Sequence, residues 1–317
     1  MEAGVNVLSI TVPVFALISL GFLAIKTKIL AANASQVLSQ FVVNFALPAL
    51  LFRAISDKPV ADVFHPVYLI GYGGGSLLTF AVLFYYCKKR RAKSTRQSAI
   101  FAMGGSFSNN LMIGYPVVLQ VFGPLATVPL ALTLMIENFI MFPLTLMLAG
   151  ANQDNQQSKV SIVWQSIKNV FKNPIILSII IAVIFSILDI KLAEPANKVI
   201  DLLANAASGI ALFSIGGLLV GVKLKAVVKE IFTVMLVKLL LHPLLVLITF
   251  MILPDVEPNL IAAAIVLASM PMFGIYPVIA SPYGLGNTCA AILVATTVCS
   301  FFSLSIILWL VQRFMWV

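Results

Sequence analysis

Residues 104–116 read GGSFSNNLMIGYP, and residues 270–277 read MPMFGIYP. Both stretches combine glycine with proline inside long apolar regions of the chain. Proline inside a helix removes a backbone donor and clashes with the preceding turn, so each stretch predicts an interrupted helix. Within a membrane, an interruption is tolerated only where its free backbone groups are buried in protein or line a cavity. The two stretches therefore mark the candidate functional site.

The two stretches belong to an internal repeat. Identical residues recur at a constant separation of 161 positions: Pro13 and Pro174, Asn44 and Asn205, Phe52 and Phe213, Pro116 and Pro277, Gly123 and Gly284. The agreement is strongest where Tyr115 precedes Pro116 and Tyr276 precedes Pro277. A chance coincidence within a restricted apolar alphabet is the alternative explanation.

The composition is that of a membrane protein. Of 317 residues, 61% are hydrophobic and 10% are charged, whereas an ordinary soluble domain is about 45–50% apolar. No charged residue lies between Arg96 and Glu137 or between Glu257 and Arg313. A bilayer crossing needs only about 20 apolar residues, so each of these stretches holds more than one crossing.

The predicted fold class is an all-α integral membrane protein with about ten transmembrane helices. They form two repeats, 1–150 and 172–317, joined by a polar cytoplasmic linker at 151–171. Each repeat has about five helices, an odd number, so the second is expected to enter the membrane inverted. Inverted repeats with interrupted helices, here the fourth and ninth, are typical of secondary transporters, whose substrate site lies near the midplane.

Basic residues predict the orientation. The run Lys88, Lys89, Arg90, Arg91, Lys93 and Arg96 is expected to be cytoplasmic under the positive-inside bias. Alternation then places most of the 20 basic residues on that side, with both termini extracytoplasmic. The net charge of +9 is accordingly a topology signal, and no nucleic-acid partner is expected.

Motifs along essentially the whole chain resemble those of the auxin efflux carrier family. They are Asn44-Phe45-Ala46-Leu47-Pro48, Ser108-Asn109 followed by Gly114-Tyr115-Pro116, and Pro271 with Gly274 and Tyr276-Pro277. The family includes bacterial members described as malonate or malate transporters and, more distantly, the plant PIN carriers. The short central segment is similar to the bacterial form, which implies a multi-pass protein of a bacterial plasma membrane and a substrate other than auxin.

The resemblance also implies an architecture similar to that of NhaA and the bile acid symporters. Helices 1, 2, 6 and 7 would form a scaffold, and helices 3–5 and 8–10 a core in which helices 4 and 9 cross. The core would move against the scaffold like an elevator, and the scaffold could support a homodimer.

The predicted substrate site surrounds the two interruptions. Asn109 is expected to bind a carboxylate, because the helix that follows would aim free N–H groups and a positive dipole end at an anion. Asn110 either shares that role or caps the half-helix. Asn44 and Asn205, matched by the repeat, either face the substrate from the opposite side or make interhelical hydrogen bonds. The remaining predicted site residues are Tyr115, Pro116, Tyr276 and Pro277.

Two charged residues lie deep within predicted helices. A charged carboxylate at the position of Glu137 costs at least about 2.5 kcal/mol, so Glu137 is expected to be protonated or paired. Lys238 could reach it, and both a structural ion pair and a coupling site, where proton or substrate displaces one partner, are consistent with the sequence. His242, one turn further, is either a packed residue or a proton relay.

The sequence therefore predicts a secondary active transporter of a small organic anion, a mono- or dicarboxylate, with proton coupling as a candidate driving force. No cofactor or metal is expected. A sodium-coupled symporter or cation antiporter of the same fold is an alternative, although no paired Asp lies at the interruptions. A sensor without transport is another. Catalytic motifs such as His-Glu-x-x-His do not occur in the sequence, so an enzyme is not expected.

Overall fold

The computed structural model describes residues 7–56, 65–150, 174–221, 228–254 and 257–314, which form helices and no β-strand. The helices are α1 (Val7–Lys26), α2 (Ala34–Ser56), α3 (Pro66–Arg90), α4 (Thr95–Ser106), α5 (Tyr115–Phe122), α6 (Thr127–Gly150), α7 (Pro174–Ile187), α8 (Glu194–Leu218), α9 (Val228–Ile252), α10 (Pro258–Ala268), α11 (Tyr276–Ala280) and α12 (Gly286–Phe314). The predicted linker at 151–171 lies outside the described residues.

Within the described ranges, 7 helices are long and apolar enough to cross a membrane, namely α1, α2, α3, α6, α8, α9 and α12. Helices α7 and α10 are apolar but shorter. Helices α4 and α5 are the two parts of the predicted fourth crossing. The protein is thus an all-helical, multi-pass membrane protein, while the ten crossings and the inverted repeat stay predictions.

The helices group into two compact units. The first contains α1, α2, α5, the beginning of α6, α7 and α8. The second contains α3, α4, the remainder of α6, α9, α10, α11 and α12. The predicted fourth crossing contributes α4 to the second unit and α5 to the first.

Close backbone contact holds the first unit together. Helix α1 packs along α8, where a side chain at Gly216 would overlap the carbonyl oxygen of Ile18. A side chain at Gly21 would likewise overlap the carbonyl oxygen of Phe213. Because glycine has no Cβ, the two helix backbones approach at both positions, as is common in membrane helix pairs.

Gly216→Ala is expected to lower the melting temperature by several degrees, because overpacking against a backbone atom typically costs about 1–3 kcal/mol. Gly209→Ala on the same helix is the control, since a Cβ there meets nothing within 4 Å. That control is expected to be neutral or slightly stabilising, because alanine favours a helix over glycine by about 1 kcal/mol. Thermal unfolding of the purified protein in detergent measures both. Equal melting temperatures for the two variants would contradict the close contact.

In the second unit, α3 and α9 approach closely toward the beginning of α3. A Cβ at Gly75 would lie 2.6 Å from the Cα of Val246, and one at Gly71 would lie 2.5 Å from the ring of Phe250. The hydroxyl of Thr249 also donates to the carbonyl oxygen of Gly71 at 2.7 Å. Small residues on α3 therefore bring polar groups of α3 and α9 within reach of each other.

Several helices contain a π turn, and each turn stands at the same distance from a proline. The π turns at Val42–Ala46, Asn110–Gly114, Glu137–Met141 and Val237–Leu241 precede Pro48, Pro116, Pro143 and Pro243, with one residue between turn and proline. Proline has no N–H and clashes with the carbonyl four residues earlier, and the wider π turn relieves both problems. Asn44, Asn110, Glu137 and Lys238 all lie in these turns, which occur often at functional sites.

Candidate functional site

The two interruptions touch in the second unit. Residues 107–109 separate α4 from the π turn that precedes α5, and residues 269–275 separate α10 from α11. The backbone N–H of Asn109 donates to the carbonyl oxygen of Pro271 at 2.7 Å. A donor freed by one interruption thus satisfies an acceptor freed by the other, which meets the demand for internal hydrogen bonding in a membrane.

Glu137 is buried beside the first interruption. Its Oε1 accepts hydrogen bonds from the backbone N–H of Ser108 at 3.1 Å and from Nδ2 of Asn110 at 2.9 Å. The hydroxyl of Tyr72 lies 3.5 Å from the same oxygen. One carboxylate oxygen therefore accepts from α3 and from two residues that follow the end of α4, and Glu137 holds the interrupted backbone in place.

Lys238 is buried beside the ends of both α4 and α10. Its Nζ donates to Oγ of Ser108 and to the carbonyl oxygen of Ala268, each at 2.7 Å, and lies 2.7 Å from Nδ1 of His242. An ammonium has three donors and no acceptor, so these contacts use all three. Nε2 of His242 lies 2.9 Å from Oγ of Ser76. With Lys238 as an ammonium, Nδ1 of a neutral His242 accepts and its Nε2–H donates to Ser76. Ala268 is the last residue of α10, where a cation is favoured by the free carbonyls and the helix dipole.

Ser108 connects the two charged residues. Its backbone N–H donates to Glu137 and its hydroxyl accepts from Lys238. Among the described residues, the ion pairs within 4 Å are Arg53–Asp201, Lys93–Glu230, Lys191–Asp189 and Lys198–Glu194, so Glu137 and Lys238 do not pair directly. A shift at Ser108 would therefore change the surroundings of both charges at once.

The side chain of Asn110 uses its amide nitrogen within the network and keeps its amide oxygen available as an acceptor. Its Nδ2 is directed to Glu137, at 2.9 Å, and to the hydroxyl of Tyr72, at 3.4 Å. Its Oδ1 is buried and has no hydrogen-bond partner in the described part of the chain. Buried polar atoms nearly always have a partner, so this oxygen is positioned for water or for a hydroxyl of a ligand.

Tyr276 and Pro277 begin the helix after the second interruption. Tyr276 is buried, and its hydroxyl donates to the carbonyl oxygen of Ile100 in α4 at 3.1 Å. The Tyr276 ring fills the space beside Gly104, where a Cβ would lie 2.5 Å from the hydroxyl oxygen. Tyr276 thus fixes α4 against α11, and Pro277 is half-buried in the first turn of α11.

The other predicted site residues belong to the first unit. Asn44 is exposed and donates to the carbonyl oxygen of Gln40 on its own helix at 2.8 Å. Asn205 is exposed and accepts from Arg53 at 3.2 Å, while Arg53 also pairs with Asp201 at 2.9 Å. Tyr115 and Pro116 are buried at the beginning of α5. These residues do not belong to the hydrogen-bonded network around Glu137 and Lys238.

The sequence interpretation did not include the residues that complete this network. Ser108, Tyr72, Ser76 and the carbonyl of Ala268 were not identified as site groups, although Ser108 directly precedes Asn109. The constant spacing between proline and π turn is the local signal that could have singled out Glu137 and Lys238. No local signal marks Tyr72 or Ser76, because each joins the network through contacts between helices distant in sequence.

Comparison with known proteins places the chain among transporters. Residues 7–308 match the family described as membrane transport proteins. A "Putative malonate transporter" from Rhizobium meliloti is 28% identical over 308 residues, which cover 97% of this chain and 96% of that protein. The uncharacterized transporter YfdV from Escherichia coli is 23% identical over 75% of this chain and 76% of its own length.

The "Lysosomal cholesterol signaling protein" of Mus musculus is also similar, with 27% identity over 73% of this chain. The matched part is only 28% of that longer protein. The family match, by contrast, covers nearly the whole chain and assigns it to transporters of small molecules rather than to enzymes. With its apolar helices and interrupted crossings, the chain belongs to the membrane transport protein family, the auxin efflux carrier family that its motifs resemble.

Proposed function

We propose that the protein is a secondary active carrier of a small organic anion, a mono- or dicarboxylate such as malonate or malate, in the plasma membrane of a bacterium. The observation that carries this proposal is the buried chain Glu137–Ser108–Lys238 at the meeting of two interrupted helices. The likeness of nearly the whole chain to a "Putative malonate transporter" supports the substrate class.

The charges of this chain suggest how an anion and a proton would be coupled. With Glu137 ionised and Lys238 charged, the two buried residues sum to zero. Protonation of Glu137 leaves the Lys238 ammonium uncompensated in a medium of low dielectric, which favours binding of an anion nearby. Release of the anion would in turn favour loss of the proton. The carrier would therefore take up proton and carboxylate together.

The contacts of Lys238 argue against sodium at the same place. A sodium ion between the interruptions would require oxygen ligands such as the hydroxyl of Ser108 and the carbonyl of Ala268. Both oxygens already accept from the Lys238 ammonium at 2.7 Å. The ammonium group of Lys238 therefore occupies the oxygen ligands that a sodium ion would need.

An elevator-type mechanism fits the distribution of these groups. The whole Glu137–Lys238 network lies within the second unit, which would carry the substrate as the mobile core. The first unit contains α1, α2, α7 and α8, the helices expected to form the scaffold. It also contains α5 and the beginning of α6, which the resemblance assigns to the core. The second unit would thus be the mobile core, and the first unit would contain the scaffold, that the family resemblance implies.

Uptake into proteoliposomes tests the proposal. Labelled malonate, malate and indole-3-acetate are offered in sodium-free buffer under imposed pH and voltage gradients. We expect a dicarboxylate to accumulate. Asn109→Ala is expected to lower the uptake rate about tenfold or more, since a hydrogen bond to a charged group contributes about 1.5–3 kcal/mol.

Asn138→Ala is the matched control, because the Asn138 amide donates to the carbonyl oxygen of Leu134 on its own helix at 2.8 Å. It is expected to transport at nearly the wild-type rate. If folded protein accumulates none of the three acids, the anion-carrier proposal fails. Wild-type uptake by Asn109→Ala would remove Asn109 from the site while leaving the substrate class intact.

A further inference from the structure

Helices α3 and α9 enclose a lateral groove at the end of the second unit opposite their close contact. Its volume is about 330 Å³, and it is lined by Val82, Leu83 and Tyr86 of α3 and by Phe232, Thr233, Leu236 and Val237 of α9. Leu83 and Val237 form the floor, since both lie within 3.1 Å of a Cβ built at Gly105 of α4. The lining side chains are apolar or aromatic except Thr233, whose hydroxyl donates to the carbonyl oxygen of Lys229 on its own helix at 2.7 Å. The side chains of Tyr86 and Phe232 are 43% and 57% exposed.

The groove leads to a cluster of basic side chains on the same faces of both helices. Val82, Tyr86, Lys89 and Arg90 occupy positions i, i+4, i+7 and i+8 of α3, which share one face of a helix. On α9, Lys229 precedes Phe232 by three residues and lies on the same face. Lys89, Arg90 and Lys229 are all exposed.

An ion pair fixes the two helix ends beside each other. Nζ of Lys93, just after α3, lies 2.8 Å from Oε1 of Glu230 in the first turn of α9. Glu230 therefore neutralises Lys93. In the described ranges, Lys89, Arg90 and Lys229 are in no ion pair within 4 Å. At its open end, the apolar groove is therefore bordered by the three unpaired positive charges of Lys89, Arg90 and Lys229.

From this combination we infer that the groove binds an anionic phospholipid, with one acyl chain between α3 and α9 and the phosphate at Lys89, Arg90 and Lys229. Basic clusters beside membrane helices attract anionic lipid headgroups, and an apolar groove below them accepts the chain. A zwitterionic lipid would fill the groove but would not use the positive charge. The positive-inside prediction places this lipid in the cytoplasmic leaflet.

The lipid would stabilise the helix pair that carries the buried network. Tyr72 and Ser76 lie on α3, and Lys238 and His242 lie on α9. The two helices are in contact at Gly75 and Val246, and the groove lies between them further along α3. A bound acyl chain fills this groove and keeps α3 and α9 in the arrangement that places Ser76 against His242.

Lipid-dependent thermal unfolding tests this site. The purified protein is mixed with phosphatidylglycerol or with phosphatidylcholine of identical acyl chains, and native mass spectrometry counts the retained lipids. We expect phosphatidylglycerol to raise the melting temperature more than phosphatidylcholine. Lys89→Gln with Arg90→Gln is expected to weaken phosphatidylglycerol retention about tenfold or more, since each basic residue contributes about 1 kcal/mol of attraction.

Lys26→Gln with Lys28→Gln is the matched control, since both lysines are exposed, belong to the first unit and lie on the same predicted side. It is expected to keep the full lipid effect. Leu236→Trp, which fills the groove without changing charge, is expected to reduce retention by itself. The inference is overturned if both lipids act equally, if the two charge variants respond alike, or if inorganic phosphate alone reproduces the stabilisation.

Discussion

Replacement of Lys238 by methionine is expected to abolish transport and to lower the melting temperature strongly. The side chain is fully buried, so methionine retains most of its volume but none of its three donated hydrogen bonds. The hydroxyl of Ser108 and the carbonyl of Ala268 then lose their donor, and the Glu137 carboxylate loses the nearest positive charge. Removal of one partner from a buried charge network typically costs about 3–5 kcal/mol.

Thermal unfolding and carboxylate uptake measure this effect, and two further variants define its cause. Lys198→Met is the control, because Lys198 is 72% exposed in an ion pair with Glu194 and is expected to be nearly neutral. Ser108→Ala removes only the hydroxyl that accepts from Lys238 and keeps the backbone N–H that binds Glu137. It is expected to fold but to transport more slowly. Wild-type uptake by Lys238→Met would show that Lys238 has no part in transport.

Glu137→Gln is expected to fold and to lose the response of uptake to an imposed pH gradient. The glutamine amide keeps an oxygen that can accept from Ser108 and Asn110, so the interrupted backbone retains its partner. It cannot take up or release a proton, and so anion binding is no longer linked to protonation at this position. Accumulation driven by an acidic outside is expected to fall at least about tenfold, whereas exchange of labelled for unlabelled anion continues.

Glu137→Ala separates the structural role of the carboxylate from its charge. Alanine leaves the N–H of Ser108 without its acceptor and leaves the Asn110 amide only the hydroxyl of Tyr72, at 3.4 Å. An unsatisfied buried donor costs about 1–3 kcal/mol. We therefore expect a lower melting temperature for Glu137→Ala than for Glu137→Gln. Glu230→Gln is the control carboxylate, which loses its ion pair with Lys93 but is expected to keep pH-driven uptake. Undiminished pH-driven accumulation by Glu137→Gln would assign proton coupling to another group or to none.

Composition and proline spacing predicted a large part of this protein. The apolar excess and the long charge-free stretches predicted a multi-pass helical membrane protein, which the helices and the family match confirm. The GGSFSNNLMIGYP and MPMFGIYP stretches predicted interrupted helices, and the helices do end there. Such features can be read from the sequence because they follow from local chemistry, namely the hydropathy of a segment and the missing N–H of proline.

The sequence also placed Glu137 and Lys238 deep in helices but could not supply the geometry between them. The sequence left open a structural ion pair or a coupling site at these two residues. In the structure they are linked through Ser108, and Lys238 is also bound to His242 and to the end of α10. Only the tertiary structure decides such a link. Its partners come from α3, from the interruption after α4, and from α6, α9 and α10, far apart along the chain. Their meeting depends on the backbone approach at Gly75 and on which donors remain free after the helices break.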